Sequence, residues 1–131
     1  MTAAARFIAI IDKDAGVRRA LVRLLRAHGF SAQGFASAEA FFLRGRMDEP
    51  ACLLLDMELD GMSGMALLHR LEADGSSMPV VVLTAVDDEI TRRSASAAGC
   101  ASYLPKPACA ERLLAAIEQA MRSSDRNGTL L

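Results

Sequence analysis

Neither sign of charge is in excess in this sequence: fifteen Lys and Arg face sixteen Asp and Glu, leaving a net charge of −1. No segment gathers basic residues into the footprint a nucleic-acid backbone requires, which argues against direct nucleic-acid binding by this chain. Cysteine is scarce, and Cys52, Cys100 and Cys109 are odd in number, widely spaced and set in Ala- and Leu-rich surroundings. Such a set suits reduced core thiols better than a disulfide framework or a zinc site, and favours a cytoplasmic protein. No apolar run reaches the roughly 18 residues of a membrane span, and the start, Met1 to Arg6, lacks the apolar core of a signal peptide. The expectation is a soluble chain with no membrane partner. Internal repeats and low-complexity segments are also missing, and 131 residues leave room for one core but not for an independent second domain.

What the sequence does contain is alternation. Apolar runs of strand length lie at Phe7 to Ile11, Cys52 to Leu55 and Val80 to Leu83, with weaker ones at Ser31 to Phe35 and Ser102 to Leu104. Each is followed by a stretch of helical periodicity. The first such stretch is the clearest: Val17, Ala20, Leu21, Leu24 and Leu25 share one face, Asp14 can cap its start and Gly29 its end. Its Arg18, Arg19, Arg23 and Arg26 fall off that stripe and read as a solvated face. A second helix is expected from Ser37 to a stop at Gly45, and a third from Gly64 to Gly75. The fourth runs from about Asp87 to Ala98, with only Ile90, Ala97 and Ala98 as its stripe. The fifth spans about Ala110 to Met121, after which a polar tail should fray. Five strands alternating with five helices predict an α/β fold, a doubly wound parallel sheet.

In such sheets function gathers at the carboxyl ends of the strands. The polar residues there are Asp12, Asp56, Thr84 and Lys106, closing the runs IAIID, CLLLD, VVVLT and SYLPK. Two carboxylates, a hydroxyl and an ammonium on one rim suit phosphate chemistry, because paired acids can hold Mg²⁺ while hydroxyl and amine neutralise phosphoryl oxygens. Thr84 alone would read as a strand residue capping the next turn, and Tyr103 as a half-buried strand aromatic. His28 and His69 lack any acid or cysteine at metal spacing and read as surface residues; Met57, Met62, Met65, Met78 and Met121 read as gap fillers.

With Asp12 ending the first strand, LLLDMELDGMSGMALL around Asp56, LTA at Leu83 to Ala85 and YLPKP at Tyr103 to Pro107, the sequence resembles the receiver domain of two-component response regulators. The likeness extends from Arg6 to about Arg122, and is similar to receivers that precede a helix-turn-helix output domain. It implies a flavodoxin-like (βα)5 fold with strand order 2-1-3-4-5, a receiver over 1–122, and a polar tail or linker start over 123–131. It also implies that Asp56 accepts a phosphoryl group from a sensor histidine kinase or a small acyl phosphate. Mg²⁺ would be held by Asp12, Asp56 and the backbone carbonyl of Glu58, Thr84 would bond the phosphoryl group, and Lys106, after which a cis proline bond is implied, would ion-pair with it. Tyr103 would be the switch residue, moving inward with Thr84 to change the face made by helix four, strand five and helix five. Such a domain is a phosphorylation-controlled signalling module, not an enzyme, with a C-terminal or separate output domain and a homodimer as further implied partners.

One residue departs from that pattern. Lys13 stands where receivers usually carry a second acid that contacts the metal. An ammonium removes an oxygen ligand and adds positive charge, which weighs against Mg²⁺. Three arrangements are open: Lys13 swings to solvent, with Asp14 free to supply an oxygen in its place; it sits where the metal would and holds Asp56 ionised; or it covers the rim and slows the reaction. Asp60 and Gly61 stand near where receivers usually have proline, so that loop is expected to be more mobile, and Glu58 adds a negative side chain at the entrance. Competing readings are a pseudo-receiver that works without phosphate, an aspartyl-phosphate phosphatase of the haloacid dehalogenase kind, and a flavin-binding module. The phosphatase needs an aspartate at position 58 and a cap, and the flavin module a phosphate loop after the first strand; none is present.

Overall fold

A computed structural model describes residues 7–44 and 49–129, with side chains as far as Ser124. The described residues form β1 (Phe7–Ile11), α1 (Ala15–Ala27), β2 (Ser31–Phe35), α2 (Ala38–Phe42), β3 (Cys52–Leu55), α3 (Gly64–Ala73), β4 (Val80–Thr84), α4 (Glu89–Ala97), β5 (Ser102–Pro105) and α5 (Ala110–Thr129). The strands are all parallel and ordered β2-β1-β3-β4-β5, the flavodoxin-like arrangement expected.

The central strands are continuous apolar runs because both of their faces are covered. Along each, alternate side chains enter opposite cores. Ile8, Ile10, Leu54 and Val81 pack with Leu25 of α1 and with Leu113 and Ile117 of α5. Ala9, Ile11, Leu53, Leu55 and Val82 pack with Phe41 of α2, Leu67 and Leu68 of α3 and Ala95 of α4. Each fully buried leucine or isoleucine contributes about 1.5–3 kcal/mol, so these two layers dominate the stability.

Local signals set the helix starts. The Asp14 carboxylate accepts from the Val17 amide at 3.1 Å, and Ser37, Ser63 and Asp88 cap α2, α3 and α4 in the same way. Each such cap is worth about 1 kcal/mol. α1 stops where Gly29 takes φ 88°, a conformation that costs glycine least.

Several details differ from the sequence reading. α4 rests on Ala95 and Ala98, while Ile90 is 79% exposed and Ala97 also faces solvent. Ala95 and Ala98 are the small side chains of this segment that enter the core. α5 runs on through Thr129, where a frayed tail was expected, because extending a formed helix costs far less than nucleating one and no proline interrupts it. The Ser124 hydroxyl ties this extension to the Ser77 carbonyl at 3.2 Å. Cys52 is buried as a core thiol, but Cys100 is only half-buried and Cys109 is exposed. The predicted end of the second helix at Gly45 lies outside the described residues. Among the described residues, no helix is long and apolar enough to cross a membrane.

Candidate functional site

Strand register assembles the site. Ile11 pairs with Leu55, so the residues that follow, Asp12 and Asp56, leave the sheet side by side. Thr84 ends β4 opposite Pro105, and Lys106 comes next, with a cis bond to Pro107 as the resemblance implied. Among the described residues, the buried polar or charged ones are Asp12, Asp56 and Thr84. Since burial of an unpaired carboxylate is costly, the charges of both acids must be answered locally.

Lys106 answers both. Its Nζ donates to Asp12 Oδ2 at 2.6 Å and to Asp56 Oδ2 at 2.8 Å. The remaining oxygens are also engaged. Asp12 Oδ1 accepts from the Asp14 amide at 2.9 Å, and Asp56 Oδ1 accepts from the Thr84 hydroxyl at 2.6 Å and the Glu58 amide at 3.0 Å. Burial opposes ionisation of Asp56, but the bonds from Lys106, Thr84 and the Glu58 amide outweigh it and hold the carboxyl below its ordinary range. Lys106 shows the converse: burial disfavours its charge, yet the bonds to Asp12 and Asp56 raise its pKa. Asp56 and Lys106 therefore face each other as an ion pair at neutral pH.

From Thr84 a chain of contacts leads outward. Its hydroxyl oxygen accepts from the Val86 amide at 3.2 Å, and the Val86 carbonyl accepts from the Tyr103 hydroxyl at 2.7 Å. The Arg92 guanidinium lies 4.8 Å from the Tyr103 ring centroid and pairs with Asp87 at 2.6 Å. Tyr103 is half-buried, bridging the β4–α4 loop and β5.

Lys13 is exposed and makes no ion pair or hydrogen bond among the described residues. Of the three arrangements open to it, the one in which it occupies the place between the carboxylates is not found; Lys106 is there instead. Asp14 serves α1 as its cap, so it does not reach inward. The side chain of Glu58 is exposed at the entrance, as expected.

Two neighbours of the site escaped the sequence reading. Arg18, assigned to a solvated face, donates to the Asp12 carbonyl at 2.6 Å, and its stem lies where a Cβ on Gly34 would be, 3.1 Å away. The glycine inside β2 was the available signal, since a strand glycine often marks a close approach. Arg26 likewise donates to the Ala32 carbonyl at 3.2 Å. The other neighbour is Glu39, whose carboxylate accepts from the Met62 amide at 2.8 Å in the β3–α3 loop. No pattern in the sequence announces that contact.

Mg²⁺ is a hard cation that demands an octahedron of oxygens. Asp12 and Asp56 supply two carboxylates, but each is bonded to Lys106, and no oxygen of either lacks a donor. Among the described residues, no three His, Cys, Asp or Glu side chains come together in a metal-binding group. As arranged, an ammonium stands between the two acids, so a dication bound there would compete with Lys106 for the same oxygens.

The sequence pattern of the response regulator receiver domain matches residues 8–118. The transcriptional regulatory protein FixJ of Azorhizobium caulinodans is 33% identical over 119 residues, covering 91% of this chain and 56% of FixJ. The response regulator MprA of Mycobacterium leprae is 35% identical, over 88% of this chain and 50% of MprA. The chain thus spans about half the length of these curated relatives. Among solved structures, the response regulator StyR superposes with a TM-score of 0.85 at 36% identity, over 95% of this chain and 63% of StyR.

Proposed function

This chain belongs to the response regulator receiver domain family, and from that premise we propose that Asp56 is its phosphoryl acceptor, poised by Lys106 and Thr84. The observation that carries the proposal is the buried Asp56 carboxylate, held ionised by an ammonium on one oxygen and by a hydroxyl and an amide on the other. A nucleophile must be unprotonated, and a transferred phosphoryl group needs positive charge and donors where its oxygens will lie. A carboxylate oxygen of Asp56 forms the new bond to phosphorus, and the bond from phosphorus to the donor breaks. The leaving group, an imidazole from a phosphohistidine or a carboxylate from an acyl phosphate, departs with the electron pair. Lys106 and Thr84 then turn from the carboxylate to the new phosphoryl oxygens.

Receiver domains generally bind Mg²⁺. Here its affinity is expected to be low, because Lys106 bridges the two acids and Lys13 stands in place of a third. The donor is a sensor histidine kinase or a small acyl phosphate. Transfer of Thr84 to the phosphoryl group pulls on Val86 and so on Tyr103, altering the surface of α4, β5 and α5. That surface serves an output domain or a second copy of the chain.

Incubation with acetyl phosphate, with and without Mg²⁺, followed by intact-mass measurement, tests the assignment. One added phosphoryl group, lost in Asp56→Asn, supports it; uptake retained in Asp56→Asn overturns it. If only Lys13→Asp takes up phosphate, the lysine has disabled the chemistry and the domain signals by partner binding alone.

A further inference from the structure

The β3–α3 loop leaves Asp56 and returns to α3 at Gly64, and its shape decides where the Glu58 amide points. That amide donates to Asp56 Oδ1 at 3.0 Å, on the oxygen that also takes the Thr84 hydroxyl. Farther along, the Gly64 amide closes the loop on the Met57 carbonyl at 3.2 Å, and Ser63 caps α3. Between these ends, Leu59, Asp60 and Gly61 make no hydrogen bond among the described residues.

One contact spans that gap, and it comes from another helix. The Met62 amide donates to Glu39 Oε2 at 2.8 Å, and Glu39 lies in the first turn of α2. Gly61 makes the approach possible, because its φ is 74° and a Cβ there would lie 2.6 Å from the same carboxylate oxygen. The loop expected to be mobile for want of a proline is instead tethered by a carboxylate.

We infer that Glu39 is a positioning residue for the chemistry of Asp56: by holding Met62 it keeps the β3–α3 loop folded so that the Glu58 N–H stays on the nucleophilic carboxylate. This inference rests on the reading of Asp56 as phosphoryl acceptor. Glu39 touches neither Asp56 nor the transferred group. It acts by limiting the loop shapes available, which keeps one oxygen of Asp56 oriented while the other faces the donor.

The test compares Glu39→Ala, which removes the acceptor, with Glu39→Gln, which keeps a carbonyl oxygen for the Met62 amide. Asp56-dependent uptake from acetyl phosphate should fall about three- to tenfold in limiting rate in Glu39→Ala with the half-saturating donor concentration little changed, the size set by one lost hydrogen bond. Glu39→Gln should restore the parent rate. Hydrogen exchange at the Glu58 amide should quicken in Glu39→Ala and not in Glu39→Gln, in the whole chain and without any phosphodonor. A parent-like limiting rate in Glu39→Ala, or a Gln variant as slow as Ala, overturns the inference. Unchanged Glu58 exchange in Glu39→Ala overturns the coupling itself, whether or not phosphate is taken up. Absence of uptake in the parent and in Lys13→Asp overturns the acceptor reading instead, and with it any chemical purpose of the tether.

Discussion

Replacing Lys106 by methionine keeps the length and most of the volume of the side chain but withdraws the charge shared by two buried acids. Asp12 and Asp56 have side chains only 4% and 6% exposed, while that of Lys106 is 21% exposed. Removing one partner of a fully buried pair costs about 3–5 kcal/mol, and the partial exposure of the ammonium brings the expected loss to about 2–3 kcal/mol at pH 7. For a domain of this size that is a fall of about 8–12 °C in Tm. The pH dependence is the sharper signature. In the parent, Asp56 lies below its ordinary 3.8, so its contribution is present above that pH and is lost only as pH falls through the folded value. Lys106 lies above its ordinary 10.5, so its contribution is complete below that pH and is lost only as pH rises through the folded value. The parent cluster therefore contributes evenly from pH 5 to pH 7. In Lys106→Met, burial and the neighbouring carboxylate act on Asp56 without the ammonium that lowered its pKa, so the folded state binds a proton more readily and stability recovers as pH falls. Urea unfolding followed by circular dichroism at pH 7 and pH 5 should show a smaller deficit at the lower pH. Equal deficits at both values would refute the electrostatic account and leave only lost packing.

Three further outcomes follow from the same geometry. Gly64→Ala would place a Cβ 2.6 Å from the Asp56 carbonyl and 2.7 Å from Met57 Cα, both backbone atoms that cannot give way easily. A loss of about 1–3 kcal/mol or more in denaturant unfolding is expected, and a neutral result would contradict the close approach of α3 to β3. Tyr103→Phe deletes the 2.7 Å bond to the Val86 carbonyl, which should cost about 0.5–1.5 kcal/mol and quicken hydrogen exchange in the β4–α4 loop; unchanged exchange would show that the bond does not hold that loop. Burial pushes the Cys52 thiol up to about 12, whereas Cys109 is exposed at the start of α5. A thiol reagent at pH 8 should modify Cys109 first and reach Cys52 only on unfolding, and early labelling of Cys52, read by peptide mass mapping, would contradict its burial.

The periodicities of this chain are strong enough to be read in one dimension. Apolar runs that need cover on both faces can only be inner parallel strands, and each is followed by a polar-flanked helical stripe. Hence the alternation, the caps at Asp14 and Ser37, and the rim formed by Asp12, Asp56, Thr84 and Lys106 were legible, because strand ends in such a sheet converge whatever the details of packing. α4 was harder, since alanines carry little pattern and only its rotation on the sheet separates the buried Ala95 from the exposed Ile90.

Sequence alone therefore determined the sheet, its covering helices and which side chains would meet at its carboxyl edge, since those follow from local periodicity and strand direction. Only the tertiary structure decided which cation stands between Asp12 and Asp56. Lys13 is adjacent to Asp12 in the chain but turns to solvent, while Lys106, 94 residues away, bridges both acids because β5 ends beside them. Nor could a one-dimensional reading pair Glu39 with Met62 or Arg18 with the Asp12 carbonyl. Such contacts join residues whose own neighbours in sequence show no preference for them, and only the packing of helices on the sheet brings them within reach.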